Sequence, residues 1–328
     1  MKYIESPTHD AFLNMALEEY VFETLPKDDE YFMLWQNENA IVVGKYQNTV
    51  EEINAEYVNE NGISVVRRLS GGGAMYQDMG NLNFTFVVNQ NSQRTLDFSI
   101  FIQPVVRALA KIGVPAEQSS RNDIVIDGKK FSGNAQYNKS GRTMHHGTLL
   151  FHSKLDTVGK ALNPKPDKIE SKGIKSVRSR VTNIYDYLED KITMEDFKRV
   201  LREEMFEANQ LKEYVLTGAD WAEVEKLRDE KYGTWEWVWG RSPAYDIVKR
   251  RRYPFGGVEV ALAVKKGLVE QVAITGDFFG NGDIEELSER LVGVPLREAA
   301  LREALQDVDV NGHILGMDAE TMIQLLLY

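Results

Sequence analysis

Cysteine is absent from the 328 residues, so disulfides, thiolate zinc sites, iron–sulfur clusters and cysteine nucleophiles are excluded. Long apolar runs are missing as well. The start, Met1-Lys2-Tyr3-Ile4-Glu5, lacks the apolar core of a secretion signal, and no later stretch approaches the ~18 apolar residues of a membrane span. A cytoplasmic protein is expected. Positive charge is in deficit: 39 Lys and Arg stand against 50 Asp and Glu, net −11. That balance argues against general affinity for nucleic acid or anionic membranes, so any basic site must be local. Internal repeats and low-complexity tracts are also lacking, and the length suffices for two domains of roughly 100–200 residues.

What the chain does have is a concentrated loop, Arg67-Arg68-Leu69-Ser70-Gly71-Gly72-Gly73-Ala74-Met75-Tyr76-Gln77-Asp78, between β-rich runs at 63–66 and 83–88. Successive glycines permit positive φ and close backbone approach to a ligand, and two arginines supply fork-shaped donors suited to phosphate or carboxylate. The same residues also fit a flexible turn with a solvated basic pair. A Walker A loop is excluded because no Gly-Lys-Ser/Thr follows. A dinucleotide fingerprint is excluded because a strand, not a helix, comes next.

Along the chain, a helix starting at Thr8 or Asp10 puts Phe12, Met15, Ala16 and Tyr20 on a core face. Strands at 31–35 and 40–44 are joined by the polar turn Gln36-Asn37-Glu38-Asn39, and a helix at 50–60 should stop at Asn61-Gly62. A helix at 97–111 carries Ile100, Phe101, Val105, Ala108 and Leu109 on a buried face. Asp127-Gly128 between β-rich flanks is a strong hairpin signal, and a second hairpin turns at Lys139-Ser140-Gly141 into a strand at 142–151. Strands here neighbour strands, which implies a mixed or antiparallel sheet. Residues 163–180 are nearly devoid of apolar side chains and rich in Lys, Ser and Gly, as a loop holding an anion or as a solvated linker. Helices at about 193–209 and 219–231 precede the aromatic run Trp235-Glu236-Trp237-Val238-Trp239 and a boundary at Gly240-Arg241-Ser242-Pro243. A hairpin (258–264, 268–275) and helices at 284–291, 296–305 and 319–327 then form a small α+β module.

Adjacent side chains on a strand point to opposite faces, so His145 and His146 cannot chelate one metal ion together, and no structural metal is expected. One of them should face the ligand side, with Gly147 allowing close approach. Lys129 and Lys130 should likewise split between faces. Small and polar residues after them, Ser132-Gly133-Asn134, suggest a ligand surface, and Asn122-Asp123 could orient a nucleotide or hold Mg²⁺.

Five motifs in order resemble the lipoate-protein ligase A family, within the biotin/lipoate protein ligase superfamily. They are Arg67-Arg68-x-x-Gly71-Gly72-Gly73-Ala74, then Arg121-Asn122-Asp123, then Lys130-Phe131-Ser132-Gly133-Asn134-Ala135. His146-Gly147-Thr148-Leu149-Leu150 follows, and the run from Ser171-Lys172-Gly173 to Ser176-Val177-Arg178-Ser179-Arg180-Val181-Thr182-Asn183 comes last.

The resemblance implies an α+β fold: a large biotin/lipoate ligase-like domain of mixed β-sheets flanked by helices (1–245) and a small α+β accessory domain (246–328). It implies a two-step reaction. Lipoate attacks the α-phosphate of ATP to give lipoyl-adenylate, and a lysine of an acceptor lipoyl domain then attacks the mixed anhydride. Acceptors would be the glycine cleavage H protein and the acyltransferase subunits of 2-oxoacid dehydrogenases, and a monomer is expected. Lys130 would be catalytic. ATP and adenylate would meet Arg68, Gly73, Ala74, Met75, Tyr76, Asn81, Asn83, Asn122, Asp123, Lys130, Lys172, Ser176 and Arg178. Lipoate would meet Arg68, Gly72, Gly73, Lys130, Ser132, Gly133, His146 and Gly147, with Mg²⁺ arriving on ATP and meeting Asp123. Tyr76 and the strand beginning at His146 would line the slot for the lipoyl tail. An octanoyl or lipoyl transferase of the same fold is the alternative enzyme, but its cysteine thioester is unavailable here. A non-catalytic protein that binds lipoyl-adenylate or lipoyl domains is the other alternative.

Overall fold

The computed structural model describes residues 1–45, 47, 49–89, 97–119, 122–163, 181–206, 211–240, 245–276, 278 and 283–328. Lys172, Ser176, Arg178 and Arg121 lie outside the described residues. The chain forms two compact units, Met1–Lys45 with Gly62–Thr234, and Tyr46–Asn61 with Trp235–Tyr328. The second unit therefore takes in an N-terminal segment as well as the C-terminal chain.

In chain order come β1 (Lys2–Glu5), α1 (Ala11–Glu23), β2 (Tyr31–Trp35) and β3 (Ala40–Val43). Next are α2 (Thr49–Glu52) and α3 (Ala55–Glu60), which belong to the second unit, and then β4 (Ser64–Arg67), β5 (Met75–Gln77) and β6 (Asn81–Asn89). The first unit continues with α4 (Ser99–Lys111), β7 (Glu117–Ser119), β8 (Asp123–Ile126), β9 (Lys129–Lys139) and β10 (Arg142–Leu150). It ends with α5 (Leu155–Ala161), α6 (Met194–Met205) and α7 (Gly218–Leu227).

Two sheets organise the first unit: a seven-stranded one ordered β1-β2-β6-β10-β9-β8-β7 and a three-stranded one ordered β4-β3-β5. Both are mixed, since β1 runs parallel to β2 and β3 parallel to β4 while the remaining pairs are antiparallel. Both hairpin turns form as their sequences dictate. Asp127 and Gly128 take φ 49° and 73°, and Ser140 and Gly141 take 51° and 74°, the double positive φ of a two-residue turn that matches strand twist. One face of the large sheet packs Phe84, Phe86, Phe131 and Leu149 against Phe101, Val105 and Leu109 of α4 and Phe197 and Leu201 of α6. Burying each such side chain contributes roughly 1.5–3 kcal/mol.

The strands β2 and β3 form where expected and belong to different sheets; Gln36 and Asn37 of the link between them are buried, with Asn37 taking a bond from Asn14 (2.9 Å) and giving one to Gln77 (2.8 Å). Two local expectations change. The helix expected at 50–60 is two helices, because the Asn54 side chain accepts from the Tyr57 amide and starts a new one. Ile100 is 38% exposed, one step off the face formed by Phe101, Ile102, Val105, Ala108 and Leu109.

The second unit adds α8 (Trp235–Val238), then the antiparallel sheet β11 (Tyr245–Tyr253), β12 (Gly256–Lys265) and β13 (Leu268–Gly276), in that order. Helices α9 (Ile284–Glu289), α10 (Glu298–Leu305), α11 (Val310–His313) and α12 (Ala319–Leu327) complete it. Its core joins Val258, Val260, Leu262 and Val264 to Leu287, Leu301, Ile323 and Leu326. Among the described residues no helix is long and apolar enough to cross a membrane.

Candidate active site

A cavity of about 130 Å³ opens in the first unit. It is lined by the glycine loop (Arg68, Gly72, Gly73, Ala74, Met75), by Asn83 of β6, and by Lys130, Gly133, Asn134 and Ala135 of β9. His146, Gly147 and Thr148 of β10 and Asn122 also line it, with Met15, Trp35, Val42 and Gln77 adding mostly apolar surface.

Neither arginine of the loop is solvated. Arg67 is fully buried and donates from Nη1 to the carbonyls of Gly44 (2.8 Å) and Lys45 (3.1 Å). Arg68 donates from Nη2 to the carbonyls of Gly71 (2.7 Å) and Gly73 (2.9 Å), from Nη1 to Val42 (3.1 Å) and from Nε to Ser70 Oγ (3.1 Å). The guanidinium thus braces the loop from inside by its own carbonyls. Burial pushes Arg68 down to about 10, still charged at neutral pH. Gly72 has φ +94°, and a Cβ on Gly44 would stand 2.2 Å from the Gly72 carbonyl oxygen, so the loop lies directly on the end of β3.

Ser70 extends this bracing. Its Oγ is 2.5 Å from His146 Nε2, and His146 Nδ1 is 2.8 Å from Glu18 Oε1 of α1. A carboxylate only accepts, so Nδ1 carries the ring proton and Nε2 takes the Ser70 hydroxyl. Thr85 also donates to Glu18 (2.6 Å) and receives Trp35 Nε1–H (3.0 Å). The adjacent His145 points to the other face as strand alternation requires, stacked on Phe101 at 4.5 Å. Burial, with the neighbouring His146, holds it well below the ordinary histidine range and therefore neutral.

Lys130 reaches the cavity through a bulge. The register of β8 and β9 shifts between Ile124, opposite Ser132, and Val125, opposite Lys130, which leaves Phe131 as the extra residue. Lys130 and Gly133 both line the cavity, which strict alternation forbids for residues three apart, while Phe131 stays in the core. The Lys130 ammonium pairs with Asp123 at 2.7 Å; the side chains are 38% and 22% exposed. Gly133 makes room for it, since a Cβ there would lie 2.9 Å from Nζ.

Of the residues singled out from sequence, Arg68, Gly72, Gly73, Ala74, Met75, Asn83, Asn122, Lys130, Gly133, His146 and Gly147 line this one cavity. Tyr76 does not: Met75 and Gln77 take the cavity face of β5, and the Tyr76 hydroxyl bonds Asn39 Oδ1 at 3.0 Å. Asn81 and Ser132 are buried beside it, bonded to Asn83 (3.0 Å) and Asn134 (3.2 Å). Gly147 is small for a reason other than ligand approach, because a Cβ would strike Asn134 Oδ1 at 2.3 Å and Phe84 Cζ at 2.4 Å. Sequence reasoning missed Glu18, Ser70, Trp35 and Gln77. A buried-looking Glu on the apolar face of α1, one turn beyond Met15, was the available signal for the first.

Residues 10–206 match the lipoyl protein ligase A/B catalytic domain family, and residues 242–326 match the bacterial lipoate protein ligase C-terminus family. Lipoate-protein ligase LplJ of Bacillus subtilis (strain 168) is 45% identical over 321 residues, 97% of this chain and 97% of its own. Among solved structures, a bi-partite lipoate protein ligase of Thermoplasma acidophilum, described with its E2 lipoyl domain, is 26% identical with a TM-score of 0.65, covering 74% of this chain and 98% of its own. Lipoate-protein ligase A bound with ATP is 26% identical with a TM-score of 0.64, covering 73% of this chain and 98% of its own. With relatives matched across nearly its whole length and both family domains in sequence, this chain belongs to the lipoate-protein ligase family.

Proposed function

We propose that this protein is an ATP-dependent lipoate-protein ligase that activates lipoate as lipoyl-AMP and transfers the lipoyl group to a lysine of an acceptor lipoyl domain. The observation that carries the reading is the meeting of Lys130 with Gly72 and Gly73 in one cavity. Glycine backbone approaches phosphate closely, and a fixed ammonium meets the negative charge that develops first on the α-phosphoryl group and then on the acyl oxygen.

The residues divide by chemistry. The braced loop from Gly72 to Met75, with Asn83 and Asn122, would hold the nucleotide. Arg68 acts through the loop it supports, its donors being committed to Gly71, Gly73, Val42 and Ser70. Lys130 and Gly133 would take the lipoate carboxylate, and the tail would run along Met15, Trp35, Val42 and His146. Burying its four methylenes is worth about 3 kcal/mol at roughly 0.8 kcal/mol each. Mg²⁺ would arrive on the triphosphate, with Asp123 as the carboxylate on offer. When the nucleotide binds, Lys130 would exchange Asp123 for phosphate. We assign catalysis to residues 1–245 and an accessory role to 246–328, in a monomer.

The transferase alternative needs a cysteine thioester, and the chain has no cysteine. Intact mass of an apo lipoyl domain, or of apo glycine cleavage H protein, after incubation with the enzyme, lipoate and Mg²⁺ tests the reading. A lipoyl mass gain that requires ATP is expected. Gain from an acyl carrier donor without ATP would mean a transferase, and no gain with lipoyl-adenylate tightly bound would mean a binding protein.

A further inference from the structure

A run of buried amides ends at the cavity, and its direction is fixed. Asn14 Nδ2 faces the carbonyl of Gln36 (2.8 Å), which only accepts, and it donates also to Asn37 Oδ1 (2.9 Å). Asn37 must then turn its Nδ2 the other way, to Gln77 Oε1 (2.8 Å). Gln77 and Asn83 form a reciprocal pair: Gln77 Nε2 donates to Asn83 Oδ1 (2.9 Å) and Asn83 Nδ2 to Gln77 Oε1 (3.2 Å). Asn81 Nδ2 adds a second donor to Asn83 Oδ1 (3.0 Å), and it does so although its own buried Oδ1 is left without a partner among the described residues. All five side chains are buried, and Asn14, Asn37 and Asn81 stay off the cavity lining.

The consequence is a wall that can only donate. Each carboxamide oxygen of the pair holds two donors and has no lone pair to spare. Gln77 Nε2 and Asn83 Nδ2 each keep one hydrogen without a partner among the described residues. Both residues line the cavity. Filling the lone pairs of an amide oxygen also polarises its N–H groups, so these are good donors. A group that meets this wall must accept.

Strand register says which part of the substrate that is. Asp123 lies opposite Gly133, Thr148 opposite Asn83 and Asn83 opposite Trp35, while the Gly133 amide donates to Thr148 Oγ1 (3.4 Å). One rung of the large sheet therefore runs Asp123, Gly133, Thr148, Asn83, Trp35. Asn122 and Lys130 stand at the β8–β9 side of it and Trp35 at the other. With the carboxylate at Lys130 and Gly133 and the nucleotide toward Asn122, the acyl chain runs along the rung toward Trp35. Asn83 is two strands from Gly133, about 10 Å at the usual strand spacing. The ring sulfurs of lipoate lie roughly 8 Å from its carboxylate at ordinary bond lengths, which brings them to the amide pair.

We propose that Gln77 and Asn83 donate to the dithiolane sulfurs of lipoate and so favour lipoate over octanoate, with Asn37 as the positioning residue that keeps the pair turned to donate. This rests on the ligase reading and refines it, moving Asn83 from the nucleotide to the acyl tail. Sulfur is a weak acceptor, but a methylene of octanoate is none, and an N–H buried against it loses its bond to water without replacement.

Pyrophosphate release with ATP and Mg²⁺ gives kcat/KM for three acids: lipoate, octanoate, and 6-oxooctanoate, which carries a ketone at the carbon that bears sulfur in lipoate. The wild type should prefer lipoate to octanoate about tenfold, the scale of one hydrogen bond. It should also use 6-oxooctanoate better than octanoate, although an apolar slot would reject the more polar chain. Gln77→Leu with Asn83→Leu should bring lipoate and octanoate to near parity and place 6-oxooctanoate below both. Asn37→Ala, which does not line the cavity, should lower the lipoate preference with the KM for ATP unaltered, whereas a merely structural role would lower all three acids alike. The wild-type comparison requires no variant to fold. A wild type with no lipoate preference, or one that uses 6-oxooctanoate less well than octanoate, overturns the proposal. So does a folded double variant that loses all three acids equally or only raises the KM for ATP, which would return Asn83 to the nucleotide. Absence of pyrophosphate from the wild type with every acid would remove the ligase reading itself, and the donor wall with it.

Discussion

The glycine loop and the β8–β9 hairpin each bring a cation to the same cavity, and they hold it differently. Arg68 is buried, and its donors are spent on the carbonyls and hydroxyl of the loop it carries. Lys130 is more than a third exposed and held by one exchangeable carboxylate. On the proposed reading the first is structure that shapes a phosphate cradle and the second is charge kept ready for the reaction. Proximity to a cavity alone does not tell them apart, but the partners of each nitrogen do.

The contrast breaks most decisively at Lys130. In Lys130→Ala, adenylate formation followed as pyrophosphate release should fall about 10²–10³-fold. The thermal midpoint should hardly move, since an exposed ion pair is worth about 0–1 kcal/mol. Normal activity in a folded variant would leave no difference in kind between the two cations. Arg67→Leu should give the reverse pattern at the level of stability. The buried Gly44 carbonyl and the partly buried Lys45 carbonyl lose this donor at roughly 1–3 kcal/mol each, and urea unfolding should show a loss of about 3 kcal/mol. A variant as stable as the wild type would mean that the loop is held by something other than its arginines.

Gly44→Ala sharpens the comparison without touching charge. Its methyl would press on the Gly72 carbonyl, so a cost of about 1–3 kcal/mol and a raised KM for ATP are expected. A change in kcat with KM unaltered would separate the loop from nucleotide binding. The smallest effect serves as a control away from the cavity. Burial raises the Asp220 carboxyl, but hydrogen bonds from Tyr20 and Thr217 outweigh it and hold the group below the ordinary range. Its contribution is therefore present above the unfolded value of about 3.9 and lost as pH falls through the folded one. Stability of Asp220→Asn should fall less steeply than that of the wild type below about pH 4, and parallel slopes would count against the assignment.

Sequence read local features well where a short-range rule decides them. Asp127-Gly128 and Ser140-Gly141 turn as expected, and alternation sends His145 into the core and His146 to the cavity. Most lining residues were legible because they cluster in motifs. What was hidden depends on partners distant in the chain. Arg68 reads as a phosphate ligand until its acceptors are seen, and Gly147 reads as a ligand approach until Phe84 and Asn134 fill its space. The same holds for β2 and β3, adjacent in sequence yet in separate sheets, and for 46–61, which joins a unit formed largely by the C-terminal chain. The strand β11 was missed because its charged run hides the alternation that marks a strand.

The line from Glu18 through His146 to Ser70 and Arg68 joins the first helix, the central sheet and the glycine loop by charge-assisted or buried bonds. Segments coupled in this way open together rather than singly. In deuterated solvent the amides of α1 and of residues 68–73 should therefore exchange as one block with a common protection, although the loop alone would be expected to exchange quickly. Cutting the line with Glu18→Gln should split that block in two, leaving the helix slow and the loop fast.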